Sequence, residues 1–192
     1  MNRNLLGVRR PLALAAGLLA APMSAADEAP SVQVEPDAQG AAARVTASIT
    51  IAAPPEIVWR TMLDCDAAPA FVPGLDTCRV LETGPNGAWD VREHRLSWMF
   101  LLPASRNVFR SDYEEPRTIR FRRIEGAFEI MEGEWTLKPA EDGRATHVGY
   151  EARLSVSVPA SGPFVRRAAR RNTPKVLTAL RAEVLARAGD RP

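Results

Sequence analysis

His94 and His147 are the only imidazoles in this chain of 192 residues, so proton-transfer chemistry near neutral pH has few places to reside. His94 shares strand parity with Leu96, Trp98 and Phe100 and can point inward with them. His147 is out of phase with Val148, Tyr150 and Leu154 and is expected to face water. Glu93 and Asp112 are the carboxylates that could join His94 as acid or base, and either could equally sit on a solvated strand face. Tyr150 and Asn172 fall on inward positions. The tyrosine hydroxyl could orient a ligand or bond a neighbouring strand. Asn172 could touch ligand or satisfy backbone groups loosened by Pro174. The chain has no nucleophile elbow, phosphate loop, dinucleotide fingerprint or metal-ligating helix, so no cofactor and no metal is expected. An enzyme is possible on these residues but unsupported.

Apolar rings are better represented than reactive groups. Phe71, Trp98, Phe100, Phe109, Phe121, Phe128, Tyr150 and Leu154 can line one concave face, with Asn172 and Val176 opposite. They could enclose a hydrophobic guest, or interlock and fill the interior. Burying ten methylenes gains roughly 8 kcal/mol, against about 4–15 kcal/mol for association. A useful guest is therefore long, ringed or polyprenyl-like. Trp98 to Pro103 is apolar on both faces, which fits either a tucked hairpin end or a lip that touches a membrane.

The elements that must position these side chains follow from periodicity. Ser31–Glu35 reads as a short strand and Ala43–Ile51 as a clear one, with Val45, Ala47, Ile49 and Ile51 on one face. Pro54-Pro55 opens a helix carrying Ile57, Val58, Met62 and Leu63. A second short helix covers 66–72. Strands follow over 77–82, 88–102, 106–113, 118–124, 128–137 and 147–158, with Gly84-Pro85-Asn86-Gly87 as a hairpin turn. Phase changes predict bulges near 93–95 and at Gly133. A long helix over 164–188 closes the chain, with Val165, Ala169, Asn172, Val176 and Leu180 inward and a kink or restart at Pro174. Only this helix is long enough to cover the sheet's apolar face.

Ile51 to Trp59 (IAAPPEIVW), Ala70 to Leu75 (AFVPGL), Arg117 to Gly126 (RTIRFRRIEG), Glu132 to Trp135 (EGEW) and the Arg-rich closing helix together resemble the START-like (SRPBCC) superfamily, in its polyketide cyclase/dehydrase and coenzyme-Q-binding branch. The resemblance spans roughly residues 45–188. It implies an α+β helix-grip, in which a curved seven-stranded antiparallel sheet wraps the C-terminal helix, with two short helices after the first main strand. Members mostly bind lipids, quinones or other hydrophobic molecules, and some catalyse cyclisation or dehydration. Asp64-Cys65-Asp66 departs from the pattern, which has an aromatic near the second helix.

Residues 1–26 carry Arg3, Arg9 and Arg10, an apolar run over 11–22 and small residues at 24–26, the pattern of a cleaved secretory signal. The run is shorter than the ~20 residues of a spanning helix. Cleavage leaves 22 bases against 23 acids, a net charge of −1 instead of +2, so nucleic acid is not an expected partner. From Pro163 onward eight bases face two acids, a basic end suited to solvent or to transient contact with an anionic membrane surface. Residues 27–42 read as a lead-in, 43–188 as the ligand-binding domain and 189–192 as a tail. The expected location is periplasmic or secreted, where Cys65 and Cys78 can form a disulfide or remain two buried thiols. The three readings left open are a carrier of a lipid or quinone, a cyclase/dehydratase-type enzyme, and a partner-binding module with a filled core.

Overall fold

The computed structural model describes residues 28–97, 105–157 and 162–189. The expected secretory signal and the expected lip over 98–103 lie outside the described residues. Eight strands form one antiparallel sheet: β1 (Ser31–Glu35), β2 (Ala43–Ile51), β3 (Leu75–Thr83), β4 (Trp89–Leu96), β5 (Ser105–Glu114), β6 (Thr118–Gly126), β7 (Phe128–Ala140) and β8 (Ala145–Val156). The helices are α1 (Pro55–Leu63), α2 (Ala68–Phe71) and α3 (Gly162–Gly189). Strand order is β1-β2-β8-β7-β6-β5-β4-β3, the helix-grip that the resemblance implies, with α3 against the inner face. The seven strands implied by the resemblance are β2 to β8. The lead-in adds β1 as an eighth, paired with β2 from Ser31↔Ser48 to Glu35↔Arg44.

Alternation sets which face is buried. In β2 the odd residues from Ala43 to Ile51 are buried and the even ones point outward. At one end of the sheet Ile51, Val58, Val148, Leu177, Leu180 and Val184 are sealed from solvent in a single cluster. A smaller cluster of Val34, Ala43, Val45, Ala152 and Ala169 lies under the other half of α3.

The bulges are not where phase reading places them. β4 pairs with β5 without a shift from Trp89↔Asp112 to Leu96↔Ser105. Its inward face is even-numbered throughout, so Asp90 and Arg92 lie inside, while Trp89 lies under the Arg110 guanidinium at 4.0 Å. Two charged residues inside a strand imitate a phase change. The register shifts instead fall on β3, between Leu75 and Thr77 and between Val80 and Glu82, opposite β6 between Val108 and Phe109, and in β7 between Phe128 and Ile130. Gly133 is not a bulge. A Cβ there would stand 2.0 Å from the Glu151 carbonyl oxygen, so glycine is required by the close approach of β8.

α3 runs unbroken across Pro174, with no restart at Thr173. Proline leaves the Arg170 carbonyl without its helical donor, and anchoring on both sides keeps the helix together. Leu177, Leu180 and Val184 are buried beyond it, and before it Arg166 and Arg170 donate to the Ala42 and Val34 carbonyls, both at 2.9 Å. Leu177→Ala should cost about 2–5 kcal/mol in urea unfolding; a loss under 1 kcal/mol would show that the sealed end is not the main core.

Candidate functional site

The size of the side chains on α3 determines where sheet and helix part. Its sealed half carries Leu177, Leu180 and Val184. The preceding turns present Val165, Ala168, Ala169, Asn172 and Thr173; Val165 and Ala169 meet the sheet at β1, β2 and β8, and toward β4 to β7 these side chains are too small to close the gap. A cavity of about 620 Å³ remains, within the usual range for small-molecule sites.

Eight of the ten sequence-predicted lining residues meet there: Phe71 from α2, Phe109 from β5, Phe121 from β6, Phe128 from β7, Tyr150 and Leu154 from β8, and Asn172 and Val176 from α3. Trp98 and Phe100 lie outside the described residues. The rings do not fill the space. Tyr150 stacks on Phe121 at 6.1 Å with planes 10° apart and leans on Trp135 at 4.3 Å. Burial pushes its hydroxyl well above the usual tyrosine range. Neither that hydroxyl nor the Asn172 amide has a hydrogen-bond partner among the described residues, so Asn172 does not repair the backbone at Pro174.

The sequence did not disclose the polar side of the cavity. Arg92 lines it with its side chain 8% exposed; its Nε donates to both Asp90 oxygens, at 2.8 and 3.0 Å, and its Nη2 to the Leu63 carbonyl at 2.9 Å. Nη1 has no protein acceptor among the described residues. Tyr113 packs edge-on to Trp59 at 5.9 Å, and its buried hydroxyl also lacks a partner. Burial pushes its ionisation upward. Ser111 and Asn107 complete this side. The signal was the unbroken even parity of Asp90, Arg92, His94 and Leu96.

The candidate acids and bases separate. His94 lines the cavity, edge-on to Phe109 at 4.8 Å. Burial, with the Arg92 charge beside it, pushes it down to about 4, so it is neutral at pH 7. Glu93 is on the opposite face, between Arg95 at 2.7 Å and Arg106, which hold its carboxyl below the usual range. Asp112 is also outside, 2.7 Å from Arg110. His147 is exposed beside Thr50, as expected. Among the described residues no cluster of ligating side chains could hold a metal ion. Cys65 and Cys78 are joined, with Cα atoms 5.2 Å apart.

A sequence profile described as polyketide cyclase / dehydrase and lipid transport matches residues 51–181. The chain belongs to that family. The match runs from the end of β2 into α3 and so takes in the elements around the cavity. Solved structures share this family's START-like fold. A STAR-related lipid transfer protein from Xanthomonas axonopodis is 20% identical over 82% of this chain and 94% of its own, with a TM-score of 0.66. A START superfamily protein from Mycobacterium smegmatis is 19% identical over 74% and 97%, with a TM-score of 0.67. The Zhui aromatase/cyclase from a Streptomyces species is 20% identical over 76% and 94%, with a TM-score of 0.64. At these identities the likeness is one of fold. No curated protein sequence matches.

His94 gives the cavity a pH signature. Its folded value is depressed, so between about pH 6.5 and 4 the unfolded chain binds the extra proton. Its contribution is full above pH 6.5, and roughly 3 kcal/mol is lost by pH 4. Urea unfolding at pH 7, 5.5 and 4 should show this slope, and His94→Gln should flatten it; equal slopes would place His94 in water.

Proposed function

We propose that this protein binds and carries an amphipathic hydrophobic molecule, a lipid or quinone-like compound, in the cavity between the sheet and α3. The observation that carries this reading is an aromatic space with one polar wall. Arg92 and the hydroxyls of Tyr113 and Tyr150 have hydrogen-bonding capacity left over, and an unmatched buried polar group costs about 1–3 kcal/mol. A guest with an apolar body and a carbonyl, hydroxyl or acid group would meet both needs. A coenzyme-Q-like ring with a polyprenyl tail fits this description, as does a fatty acid.

Export to the periplasm is part of the proposal, supported by the composition of residues 1–26. Contact with an anionic membrane is another part, and the basic residues divide over it. Arg166 and Arg170 hold backbone carbonyls of the lead-in, and Arg187 pairs with Glu183 and Asp64. Arg167, Arg171 and Lys175 have no carboxylate partner among the described residues and remain for lipid headgroups. Phe164 lines the cavity and is also 53% exposed, which suits a mouth at this end of α3.

A cyclase-type reaction would draw on His94, the one imidazole at the cavity. A base with a pKa of about 4 holds a proton poorly at neutral pH, which favours carriage.

Organic extraction of the purified protein followed by mass spectrometry should return one reproducible lipid or quinone class near one equivalent. Val176→Trp, which places an indole in the cavity, should reduce that yield at least fivefold while leaving the circular dichroism unchanged. Extracts without such a compound, or equal yields from the variant, would remove the carrier reading.

A further inference from the structure

The segment from Leu63 to Val72 is one wall of the cavity. Met62, Leu63, Ala68, Phe71 and Val72 all face it. Three consecutive residues at the start of this segment are fastened to three different parts of the molecule. The Leu63 carbonyl accepts from Arg92 of β4 at 2.9 Å. The Asp64 carboxylate receives Arg187 of α3 at 2.9 Å. Cys65 is bonded to Cys78 of β3. Beyond them the wall has little internal structure of its own. α2 has four residues and no side-chain cap, and Asp64 turns the chain into it by accepting from the amides of Asp66 and Ala67 at 3.0 and 3.3 Å.

Of the three fasteners only the disulfide is covalent and only it can be undone chemically in place. The Asp64–Arg187 pair is about one-third exposed on both sides, and such pairs hold weakly. Cys78 is the register partner of His94, so it lies on the cavity face of the sheet, at the edge strand. Both cysteines are only half-buried, so the bond lies at the surface end of the wall and not in the sealed core.

We propose that the Cys65–Cys78 bond is a redox lock on this wall, and that its reduction releases bound guest by letting 63–72 swing from the sheet. The inference rests on the carrier reading and adds its regulation. The reductant is a dithiol. One of its thiolates attacks a cysteine sulfur, breaking the Cys65–Cys78 bond and forming a mixed disulfide. Its second thiolate then closes on the first. The dithiol is oxidised to a disulfide, and Cys65 and Cys78 each end with one proton from it. The rest of the fold keeps its closure. Ala67, Ala68 and Phe71 share a core cluster with Leu177 and Leu180, and Cys78 packs against it, so the swing carries this part of the wall out of that cover while Ile51, Val58 and Val148 stay on the sheet side of the cluster.

The test loads the disulfide-bonded chain with a fluorescently labelled stearate and follows its release into excess vesicles, with and without dithiothreitol. Circular dichroism and hydrogen exchange are recorded on the same samples. Reduction should raise the release rate at least tenfold and speed amide exchange within 63–72 more than in 177–184, with the far-ultraviolet spectrum unchanged. Cys65→Ser with Cys78→Ser should release at the reduced rate whether or not dithiothreitol is present. Release rates within twofold of each other, once alkylation confirms two free thiols, would overturn the lock while leaving the carrier reading intact. Unaltered exchange in 63–72 would overturn it independently of any ligand, and global unfolding on reduction would make the bond a staple of the fold. A disulfide-bonded chain that takes up no probe would remove the carrier reading and the lock together.

Discussion

One helix has to cover a concave sheet face that is longer than its own large side chains can serve. Everything particular to this molecule follows from how that shortage is distributed. Past Pro174, α3 carries Leu177, Leu180 and Val184 into a cluster with Ile51, Val58 and Val148, and the gap closes. Before Pro174, Ala169 meets β1, β2 and β8, but Ala168, Asn172 and Thr173 are too short to reach the far strands, and the gap remains as the cavity, with Val176 and Leu180 at its inner end. Burial of apolar surface drives both halves. In the first half the driving force is satisfied within the chain, and in the second it is left for a guest.

The first half of α3 has only the small cluster around Ala169 for apolar packing, and polarity supplements it. Arg166 and Arg170 reach over to backbone carbonyls of the lead-in, and Arg153 ties the turn after β1 to β8 through Asp37 at 2.9 Å. The Arg153 guanidinium and the Ala41 amide keep the Asp37 carboxyl below its ordinary range although burial opposes this. The outer face of the sheet is occupied in the same way, with Glu93 between Arg95 and Arg106 and Asp112 on Arg110. Carboxylates that by spacing alone might have been chemical are satisfied structurally. Among the described residues the charges left inside are Asp90 and Arg92, a pair whose burial is offset by the Arg92 Nε hydrogen bond shared between both carboxylate oxygens and by the Leu63 carbonyl.

Much of this was legible in the residues. β1 and β2 have the ends that alternation gives them, and Pro54-Pro55 marks the start of α1. The parity of β8 placed Tyr150 and Leu154 at the cavity, and Ile119 and Phe121 correctly share a face. On β4 hydrophobic parity and backbone parity part company. On β4 the inward positions hold Asp90 and Arg92 while Trp89 lies outside under Arg110. The apolar pattern therefore reversed where the backbone did not, and the polar wall went unseen. The phase change along β7 is real but originates at the irregularity between Phe128 and Ile130, and Gly133 draws attention away from it because irregular backbone and close approach call for the same residue. The true bulges on β3 and β6 fall among exposed residues, where no apolar phase exists to be broken.

Those bulges on β3 matter beyond the curvature they give. The sheet is open, and β3 ends it with Val80 and Leu81 about half exposed. A flat edge of that kind is a template on which a second chain can add a strand. Two interruptions within nine residues, at Leu75/Thr77 and Val80/Glu82, break the even row of amides and carbonyls that such addition requires. The irregularity in β3 is thus a guard against self-association of the sheet.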